Sequence, residues 1–341
     1  MRIALDVMGT DYGPEELVLG ALEAVRAFDC EVILVGDSET IEVVLRKHGA
    51  ENNPKISIRH ASEVVHMSEH PAIAVKTKKD ASIVVAAKLL REKTCDAMVS
   101  SGSTGAAVAA ALFYLGRIKG IERPAIATPI PSLTGTTVLV DSGAKVDAKP
   151  EHLLQNAVMG SVYTEMMFGI KTPRVGLLNI GEEENKGNEL TLATYPLLKE
   201  EKHINFIGNV EGRDINKGTV DVVVCDGFVG NVVLKFGEGL AYALMTMVKE
   251  AVMQGGWQAK LGGLLIKPAL KKLQKRVDPT EYGGALLLGV KSPIIICHGS
   301  SKAKSIKNAI GVTISFAERG VVQHIADSVV RRNSLLRKEI N

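Results

Sequence analysis

Short apolar runs alternate with longer segments of helical spacing along almost the whole chain. The runs consist mainly of Val, Ile, Leu and Ala and are bounded by Gly, Pro, Asp or Ser, a pattern typical of buried strands. In the longer segments, such as 15–28 and 80–93, apolar residues recur every third or fourth position, which predicts amphipathic helices. The predicted strands are residues 2–6, 31–37, 56–60, 96–99, 124–127, 136–141, 174–180, 204–208, 220–225 and 293–297.

This alternation predicts the α/β class, with a doubly wound, mainly parallel sheet in a three-layer α/β/α arrangement. The sequence contains no internal repeat and no linker, so a single domain over residues 1–341 is expected. Pro129 and Pro131 are expected to separate two strands near a sheet edge. No apolar run reaches the length that predicts a membrane-spanning helix.

Composition places the chain among soluble globular proteins. Of its 341 residues, 46% are hydrophobic, 23% charged and only 4% aromatic, so an aliphatic core is expected. A net charge of +3 gives no sign of a nucleic-acid partner. The first strand starts at residue 2, so no signal peptide is predicted. Buried free thiols in a reducing cytoplasm are expected, because the four cysteines are widely spaced, at Cys30, Cys95, Cys225 and Cys297.

A loop of small residues joins the strand at 96–99 to a segment rich in Ala and Leu, residues 107–115, which predicts a helix. A strand, a small-residue loop and a helix start together aim backbone N–H groups at an anion, and hydroxyls add further donors. The loop therefore predicts a phosphate site, although a tight turn with a Ser or Thr N-cap has the same pattern. Its residues are Ser101, Gly102, Ser103, Thr104 and Gly105.

Polar residues also follow most of the other predicted strands. Because ligands of parallel α/β sheets bind beyond the carboxyl ends of the strands, these loops are expected to form one polar rim at one edge of the sheet. The loops begin at Asp6, Asp141, Asn179, Gly208, Asp226 and His298.

The polar loops and their flanks contain a series of motifs: Met8-Gly9 with Asp11, Ser101-Gly102-Ser103-Thr104-Gly105-Ala106, Asp141-Ser142-Gly143-Ala144, Asn179-Ile180-Gly181-Glu182-Glu183, Lys186-Gly187-Asn188-Glu189, Gly208-Asn209-Val210-Glu211-Gly212-Arg213-Asp214, Asp226-Gly227-Phe228-Val229-Gly230-Asn231-Val232-Val233-Leu234-Lys235, Tyr282-Gly283-Gly284-Ala285 and His298-Gly299-Ser300-Ser301. The order of these motifs resembles the PlsX family, the phosphate acyltransferases of bacterial phospholipid synthesis, over residues 1 to about 309.

The resemblance implies transfer of an acyl group from acyl–acyl carrier protein to inorganic phosphate. It implies a fold like those of isopropylmalate dehydrogenase and phosphotransacetylase, a homodimer, and no metal or other cofactor. It also implies a cytoplasmic protein attached peripherally to the membrane, with a downstream glycerol-3-phosphate acyltransferase that uses the acyl phosphate.

This reaction needs positioning and electrostatics more than a strong base, because a thioester is already activated and phosphate is largely dianionic. Lys186 and Lys235 are predicted charge partners of phosphate. Asn231, with the N–H groups after Gly230, is predicted to donate to the developing oxyanion. His298 is predicted to protonate the departing sulfur or to bind phosphate.

Each of these residues also has a purely structural interpretation: a solvated lysine, a helix cap or a turn residue. Asp226 is expected to orient one of the lysines, and Asp6 and Asp141 either bind substrate or only cap their turns. The predicted substrate-binding residues are Asp6, Gly9, Ser101, Gly102, Ser103, Thr104, Gly105, Asp141, Asn188, Asp226 and Gly230.

Residues 250–280 predict a protruding amphipathic helical hairpin, which Pro268 and the glycine pairs are expected to divide into short helices. An apolar stripe with interspersed cations is typical of a segment that lies on an anionic membrane. Packing on the protein's own core, on a dimer partner or on acidic acyl carrier protein remains open. The predicted membrane contacts are Trp257, Lys260, Leu261, Leu264, Leu265 and Lys267.

Three other functions remain open. An NAD-dependent decarboxylating dehydrogenase on the same fold would need a metal-binding aspartate cluster, and no G-x-G-x-x-G follows the first strand. A phosphotransacetylase that uses acyl-coenzyme A would need the same phosphate site. A non-enzymatic membrane scaffold would depend on the hairpin alone.

Overall fold

The computed structural model describes residues 1–339, so the last two residues of the predicted 1–341 domain lie outside the described residues. Its strands are β1 (Arg2–Asp6), β2 (Glu31–Gly36), β3 (Ile56–His60), β4 (Ala97–Ser100), β5 (Ala125–Ser132), β6 (Gly135–Val140), β7 (Arg174–Leu178), β8 (Asn205–Val210), β9 (Val222–Val224), β10 (Ala285–Leu288) and β11 (Ile294–Ile296). They form one sheet in the order β3-β2-β1-β4-β11-β10-β5-β6-β9-β7-β8.

The helices of the described residues cover both faces of this sheet. They are α1 (Pro14–Ala27), α2 (Ser38–Lys47), α3 (Pro71–Thr77), α4 (Ser82–Arg91), α5 (Thr104–Ala110), α6 (Pro150–Phe168), α7 (Glu189–Glu200), α8 (Gly212–Lys217), α9 (Gly227–Gln254), α10 (Trp257–Val277), α11 (Ala303–Glu318) and α12 (Val321–Glu339). A π-helical turn, Ala111–Leu115, continues α5, and a 3-10 turn, Pro279–Glu281, follows α10.

The predicted α/β class and three-layer arrangement are confirmed. Helices α1, α2, α6, α7, α11 and α12 pack on one face, and α3, α4, α5, α8 and α9 pack on the other. Seven of the ten strand pairings are parallel, as expected for a mainly parallel sheet. The four cysteines are free and buried, also as predicted.

The sheet reverses direction at its centre. β10 is antiparallel to both β11 and β5, and β5 is antiparallel to β6. As a result, β6, β9, β7 and β8 run opposite to β1, β2, β3, β4 and β11. We call the edge at the carboxyl ends of β1, β4 and β11 the α5 end, and the edge at the carboxyl ends of β6, β7, β8 and β9 the α9 end.

Two prolines lie inside one strand, so the prediction that they separate two strands is wrong, whereas the expected local edge is present. β5 runs through Pro129 and Pro131, which pair with Val138 and Thr136 on β6. On its other side, β5 pairs with β10 only over residues 125–127. The prolines therefore lie where β5 has one neighbouring strand, and their missing N–H groups break no ladder there.

The hairpin is larger than the predicted 250–280 segment. Its first arm, α9, starts at Gly227, and its second arm, α10, is one continuous helix despite Pro268. The Gly255-Gly256 pair separates α9 from α10 as predicted, but the predicted breaks at Pro268 and at the Gly262-Gly263 pair are wrong, since both lie within α10. The hairpin ends against the β5–β6 turn, where the Arg276 side chain donates to the Ser132 carbonyl at 2.6 Å.

Helix α9 is long and apolar enough, by length and composition, to cross a membrane. The sequence has no uninterrupted apolar run of that length, because Lys235 and Glu238 lie within α9, where they pair with each other at 2.9 Å. Only 6% of the apolar stretch of α9 is buried. α9 is therefore a largely exposed helix and not a helix of the buried core.

Candidate active site

The carboxyl end of β1 and the loop after β4 are joined by a buried carboxylate. Asp6 accepts a hydrogen bond from the Ser100 hydroxyl at 2.8 Å and from the Met8 N–H at 3.2 Å. The Ser100 hydroxyl in turn accepts the Gly102 N–H at 3.2 Å. Burial raises the pKa of Asp6 to about 6, while hydrogen bonds from Ser82, Ser100 and Met8 oppose that shift.

The loop at residues 101–105 leads into α5 as predicted. Ser103 is the N-cap of α5, and its hydroxyl accepts the Ala106 N–H at 3.4 Å. Within the described residues, the N–H groups of Thr104 and Gly105 have no protein acceptor. Ser101 is buried and its hydroxyl lacks a hydrogen-bond partner there. The start of α5 therefore retains the free donors that an anion site needs.

His298 lies at the same end of the sheet. Its Nδ1 accepts the Ser300 N–H at 3.2 Å and lies 2.7 Å from the Ser300 hydroxyl. Nδ1 is therefore the acceptor nitrogen, and in the neutral ring the proton is on the exposed Nε2. This turn touches the loop after Gly9, because the Asp11 N–H donates to the Gly299 carbonyl at 3.1 Å.

The second group of predicted residues lies at the α9 end. The Asp141 carboxylate accepts N–H groups from Ile126 at 3.0 Å, Gly143 at 3.0 Å, Ala144 at 2.8 Å and Lys145 at 2.9 Å. Burial raises the pKa of Asp141, and these four donors act against that rise. The carboxylate thus organises its own loop, and a direct contact with substrate stays a prediction.

Helix α9 begins directly on this loop. A Cβ on Gly227 would come within 2.8 Å of Asp141 Oδ2, and a Cβ on Gly230 would overlap the Asp141 carbonyl oxygen. Asp226 caps the helix and accepts the N–H groups of Phe228 at 2.9 Å and Val229 at 3.0 Å. In the described residues, Asp226 makes no ion pair with Lys186 or Lys235, and Lys235 pairs with Glu238 instead. The expected role of Asp226 in orienting a lysine therefore stays a prediction.

Asn231 and Lys235 lie one turn apart on α9, as their spacing predicts. The amides after Gly230 belong to the helix, so the predicted backbone donors are occupied and only the Asn231 side chain is left. That side chain is exposed, lies against Gly143 and makes no hydrogen bond in the described residues. Lys235 Nζ pairs with Glu238 at 2.9 Å.

Lys186 and Asn188 lie in the loop after β7. Lys186 is exposed and forms no ion pair within the described residues, and its side chain covers Gly181. The Asn179 side chain donates to the Lys186 carbonyl at 3.0 Å and fixes the loop. Asn188 caps α7 and accepts the Thr191 N–H at 2.9 Å, so its side chain has a structural role.

The expectation of one polar rim is wrong. Residues 6–9, 101–105 and 298 gather at the α5 end, whereas Asp141, Lys186 and Asn231 gather at the α9 end. The reason is the antiparallel pairing of β10 and β5, which turns the second half of the sheet around. The two groups start at opposite ends of the strands.

One face of the sheet connects the two groups. Alternate residues of β5 point to the same face, so Ile126, Thr128 and Ile130 share one. Ile126 packs in the cluster of α4 and α5, and Ile130 packs against the cluster that includes Val229 and Val233 of α9. Helices α5 and α9 therefore lie on the same face, and Thr128 lies on the strip between them. We call this strip the central strip.

The central strip contains a polar pair that the motifs did not single out as site residues. Thr128 Oγ1 lies 2.6 Å from Ser142 Oγ, which is also 3.2 Å from the Ile126 carbonyl. Ser142 was visible within the Asp141 motif. Thr128 lies in an apolar strand, so the sequence did not indicate it as a site residue. Its position between the two helix clusters is known only from the structure.

The described residues contain no group of three or more His, Cys, Asp or Glu placed to hold a metal ion.

Comparison with known proteins agrees with the motifs. A family model described as fatty acid synthesis protein matches residues 1–324. A protein named phosphate acyltransferase from Pelotomaculum thermopropionicum is 55% identical over 329 residues, which cover 96% of this chain and 95% of that protein. Another of the same name, from Desulfitobacterium hafniense, is 56% identical over 332 residues, 97% of this chain and 98% of that protein.

Solved structures share the fold at low identity. A phosphotransacetylase from Streptococcus pyogenes has a TM-score of 0.63 at 18% identity and covers 94% of both chains. A branched-chain phosphotransacylase from Enterococcus faecalis has a TM-score of 0.55 at 14% identity, covering 94% of this chain and 99% of its own. A 4-hydroxythreonine-4-phosphate dehydrogenase from Klebsiella pneumoniae has a TM-score of 0.53 at 13% identity, with coverage of 93% and 99%.

Proposed function

This chain belongs to the PlsX family of phosphate acyltransferases, and from that premise we propose that it transfers a fatty acyl group from acyl–acyl carrier protein to inorganic phosphate. Acyl transfer to phosphate follows from the family, and the chain is an acyltransferase. The carrier-protein donor is our proposal, as is delivery of the acyl phosphate to a glycerol-3-phosphate acyltransferase downstream.

The close contact between Asp141 and the first turn of α9 is the structural observation that supports the proposal best. Gly227 and Gly230 admit no side chain at this contact, and the result is an exposed Asn231 amide beside Gly143. Lys235 follows one turn later, and the exposed Lys186 lies at the same end of the sheet. An amide donor and two lysines at one end of the sheet suit a reaction whose charge develops on oxygen.

The reaction itself requires no cofactor in this proposal. A phosphate oxygen attacks the thioester carbon, a C–O bond forms, and the carbonyl electrons move to the oxygen. Asn231 stabilises that oxyanion, while Lys186 and Lys235 hold the phosphate. When the intermediate collapses, the C–S bond breaks and the carrier thiolate leaves with the electron pair.

Two predicted roles belong to the α5 end. The free amides of Thr104 and Gly105 are proposed to bind a phosphate group, either the attacking phosphate or that of the carrier's prosthetic arm. His298 is proposed to protonate the thiolate as the imidazolium, giving a proton from Nε2 and returning to the neutral ring. Both roles require substrates that extend along the central strip, because these groups start at the end opposite to Asn231.

The hairpin is proposed to contact an anionic membrane surface. Trp257 is 73% exposed, Leu264 65% and Leu265 73%. Lys260 and Lys267 lie on the same helix, α10. Exposed apolar side chains beside cations are what an interfacial helix needs. A homodimer contact or attraction of acidic carrier protein would use the same surface, and all three uses are compatible with a cytoplasmic enzyme.

The test mixes purified protein with acyl–acyl carrier protein and labelled phosphate, without NAD or added metal. Acyl phosphate and free carrier thiol should form in equal amounts. Turnover of acyl-coenzyme A in place of the carrier substrate would favour a phosphotransacetylase, and NAD reduction with a hydroxy acid would favour a dehydrogenase. Vesicle binding without either activity would favour a scaffold.

A further inference from the structure

Thr128 is a half-buried polar residue in the middle of the sheet. Residues 125–127 and Pro129 are buried, whereas Thr128 between them is only half-buried. β6 pairs with β5 at Thr128, and Ala285 of β10 lies opposite on the other side, so the side chain can be reached only from a face. The helical layer therefore leaves the sheet uncovered at this point, between the cluster of α5 and the cluster of α9.

Thr128 has a small neighbour on one side of the central strip and a large one, Leu139 of β6, on the other. Register between β10 and β5 pairs Leu286 with Ala127, so Ala285 follows opposite Thr128. Ala285 is half-buried and belongs to the same face as Leu287. Gly143 lies beyond Ser142 and contacts Asn231. A half-buried polar residue with Ala285 on one side, next to a predicted site, leaves room for a ligand on that side.

The hydroxyl pair has two proton arrangements. In the first, Ser142 donates to the Ile126 carbonyl at 3.2 Å and Thr128 donates to Ser142 at 2.6 Å. In the second, Ser142 donates to Thr128, and the Thr128 proton points away from the pair. The second arrangement loses only the 3.2 Å hydrogen bond from Ser142 to the Ile126 carbonyl. The Thr128 hydroxyl can therefore donate to an acceptor oxygen on the central strip at a small cost in free energy.

We infer that Thr128 Oγ1 donates a hydrogen bond to an oxyanion of the bound substrates and that Ser142 positions it. The oxyanion is either a phosphate oxygen or the oxygen that develops on the thioester carbon. This inference rests on the proposed function. Thr128 is then a substrate-binding residue, and Ser142 links it to the loop on which Asn231 rests.

Steady-state kinetics of four variants test the inference. Thr128→Val keeps the shape and removes the hydroxyl, and Thr128→Ser keeps the hydroxyl. Ser142→Ala removes the positioning partner. Thr164→Val is the matched control, because the Thr164 hydroxyl is buried without a partner on α6, which packs on the opposite face of the sheet.

Thr128→Val should lose about 10- to 100-fold in kcat/KM, the range expected for a hydrogen bond to a charged oxygen. Thr128→Ser should return to within a few-fold of the parent, and Ser142→Ala should show a smaller loss than Thr128→Val. A rise in KM for phosphate at constant kcat identifies phosphate as the acceptor. A fall in kcat at constant KM identifies the oxyanion of the intermediate.

Two results would overturn the inference: a Thr128→Val enzyme within twofold of the parent in every constant, or a Thr128→Ser enzyme as impaired as Thr128→Val. Thermal unfolding with and without inorganic phosphate supplies a readout that does not depend on turnover. If the parent makes no acyl phosphate, the proposed function fails. A phosphate-induced rise in Tm that is lost in Thr128→Val but kept in Thr164→Val would then still support the site.

Discussion

Gly230 of α9 lies against the backbone of Asp141, so closely that a Cβ on the glycine would overlap the Asp141 carbonyl oxygen. The same turn places Asn231 beside Gly143. The candidate site at the α9 end is therefore built on a backbone-to-backbone contact. Any added atom at this contact must move the helix or the loop.

Gly230→Ala should cost about 1–3 kcal/mol of stability, the range for overpacking, and should abolish most activity by shifting Asn231. Gly239→Ala is the matched control, because a Cβ at Gly239 meets nothing within 4 Å. In an exposed helix interior, that change should stabilise the protein slightly. Urea unfolding and acyl phosphate formation measure both effects. Equal behaviour of the two variants would contradict the contact.

Asn231→Ala should reduce kcat by roughly 100-fold or more, as removal of one oxyanion donor does elsewhere. The side chain has no hydrogen bond to lose within the described residues, so stability should change little. Turnover and Tm are measured together. Lys249→Ala, an exposed change on the same helix, serves as the control. A normal kcat in Asn231→Ala would remove this residue from the mechanism.

Lys235→Ala should raise KM for phosphate at least tenfold, because the variant lacks one cation of the proposed site. Glu238→Gln tests the alternative that Lys235 serves only its ion pair, which joins the two side chains at 2.9 Å. That variant breaks the pair but keeps the lysine, so its KM should stay normal or fall. Similar defects in both variants would show that the pair, and not the free cation, matters.

Asp6 should make stability depend on pH. Burial raises its pKa from 3.8 to about 6, so the folded protein binds a proton that the unfolded chain has released. Stability should therefore fall as pH rises through this window, by about 3 kcal/mol in total. Asp6→Asn should remove that fall, which urea unfolding at pH 4 and pH 8 measures.

Asp37→Asn provides the control for Asp6, because hydrogen bonds from Thr40 lower the pKa of the exposed Asp37. Its contribution has the opposite sign: it is present above the ordinary pKa and is lost as pH falls. If Asp6→Asn and the parent show parallel stability curves between pH 4 and pH 8, the carboxyl group is not buried as described.

Trp257→Glu combined with Leu261→Glu should release the protein from vesicles of anionic lipid while turnover in solution persists. Two exposed apolar side chains are replaced by anions, so both the apolar and the electrostatic attraction are lost. Val43→Glu combined with Ile73→Glu is the control, since these side chains are 57% and 59% exposed away from the hairpin. Sedimentation with vesicles measures binding. Unchanged binding of the hairpin variant would refute membrane contact through α10.

Much of the fold was readable from local patterns. The apolar runs predicted ten of the strands and missed β10. β10 is a short run after a Gly-Gly pair, a pattern that is equally typical of a loop. The prediction that the small-residue loop leads into a helix is confirmed, although α5 starts at Thr104 and not at residue 107, with Ser103 as its N-cap. Asn231 and Lys235 were placed correctly on one helix, because spacing alone determines that.

The sequence by itself determined which residues form strands, which loops carry chemistry and which family the chain belongs to, since these depend on local pattern and on the order of motifs. Only the tertiary structure decided that β5 and β10 run antiparallel to their neighbours and so divide the polar loops between two ends of the sheet. A strand has the same apolar pattern whichever way its neighbours run, because side chains alternate in both cases. Strand direction, and with it the position of Thr128 between two helix clusters, is therefore a property of long-range pairing.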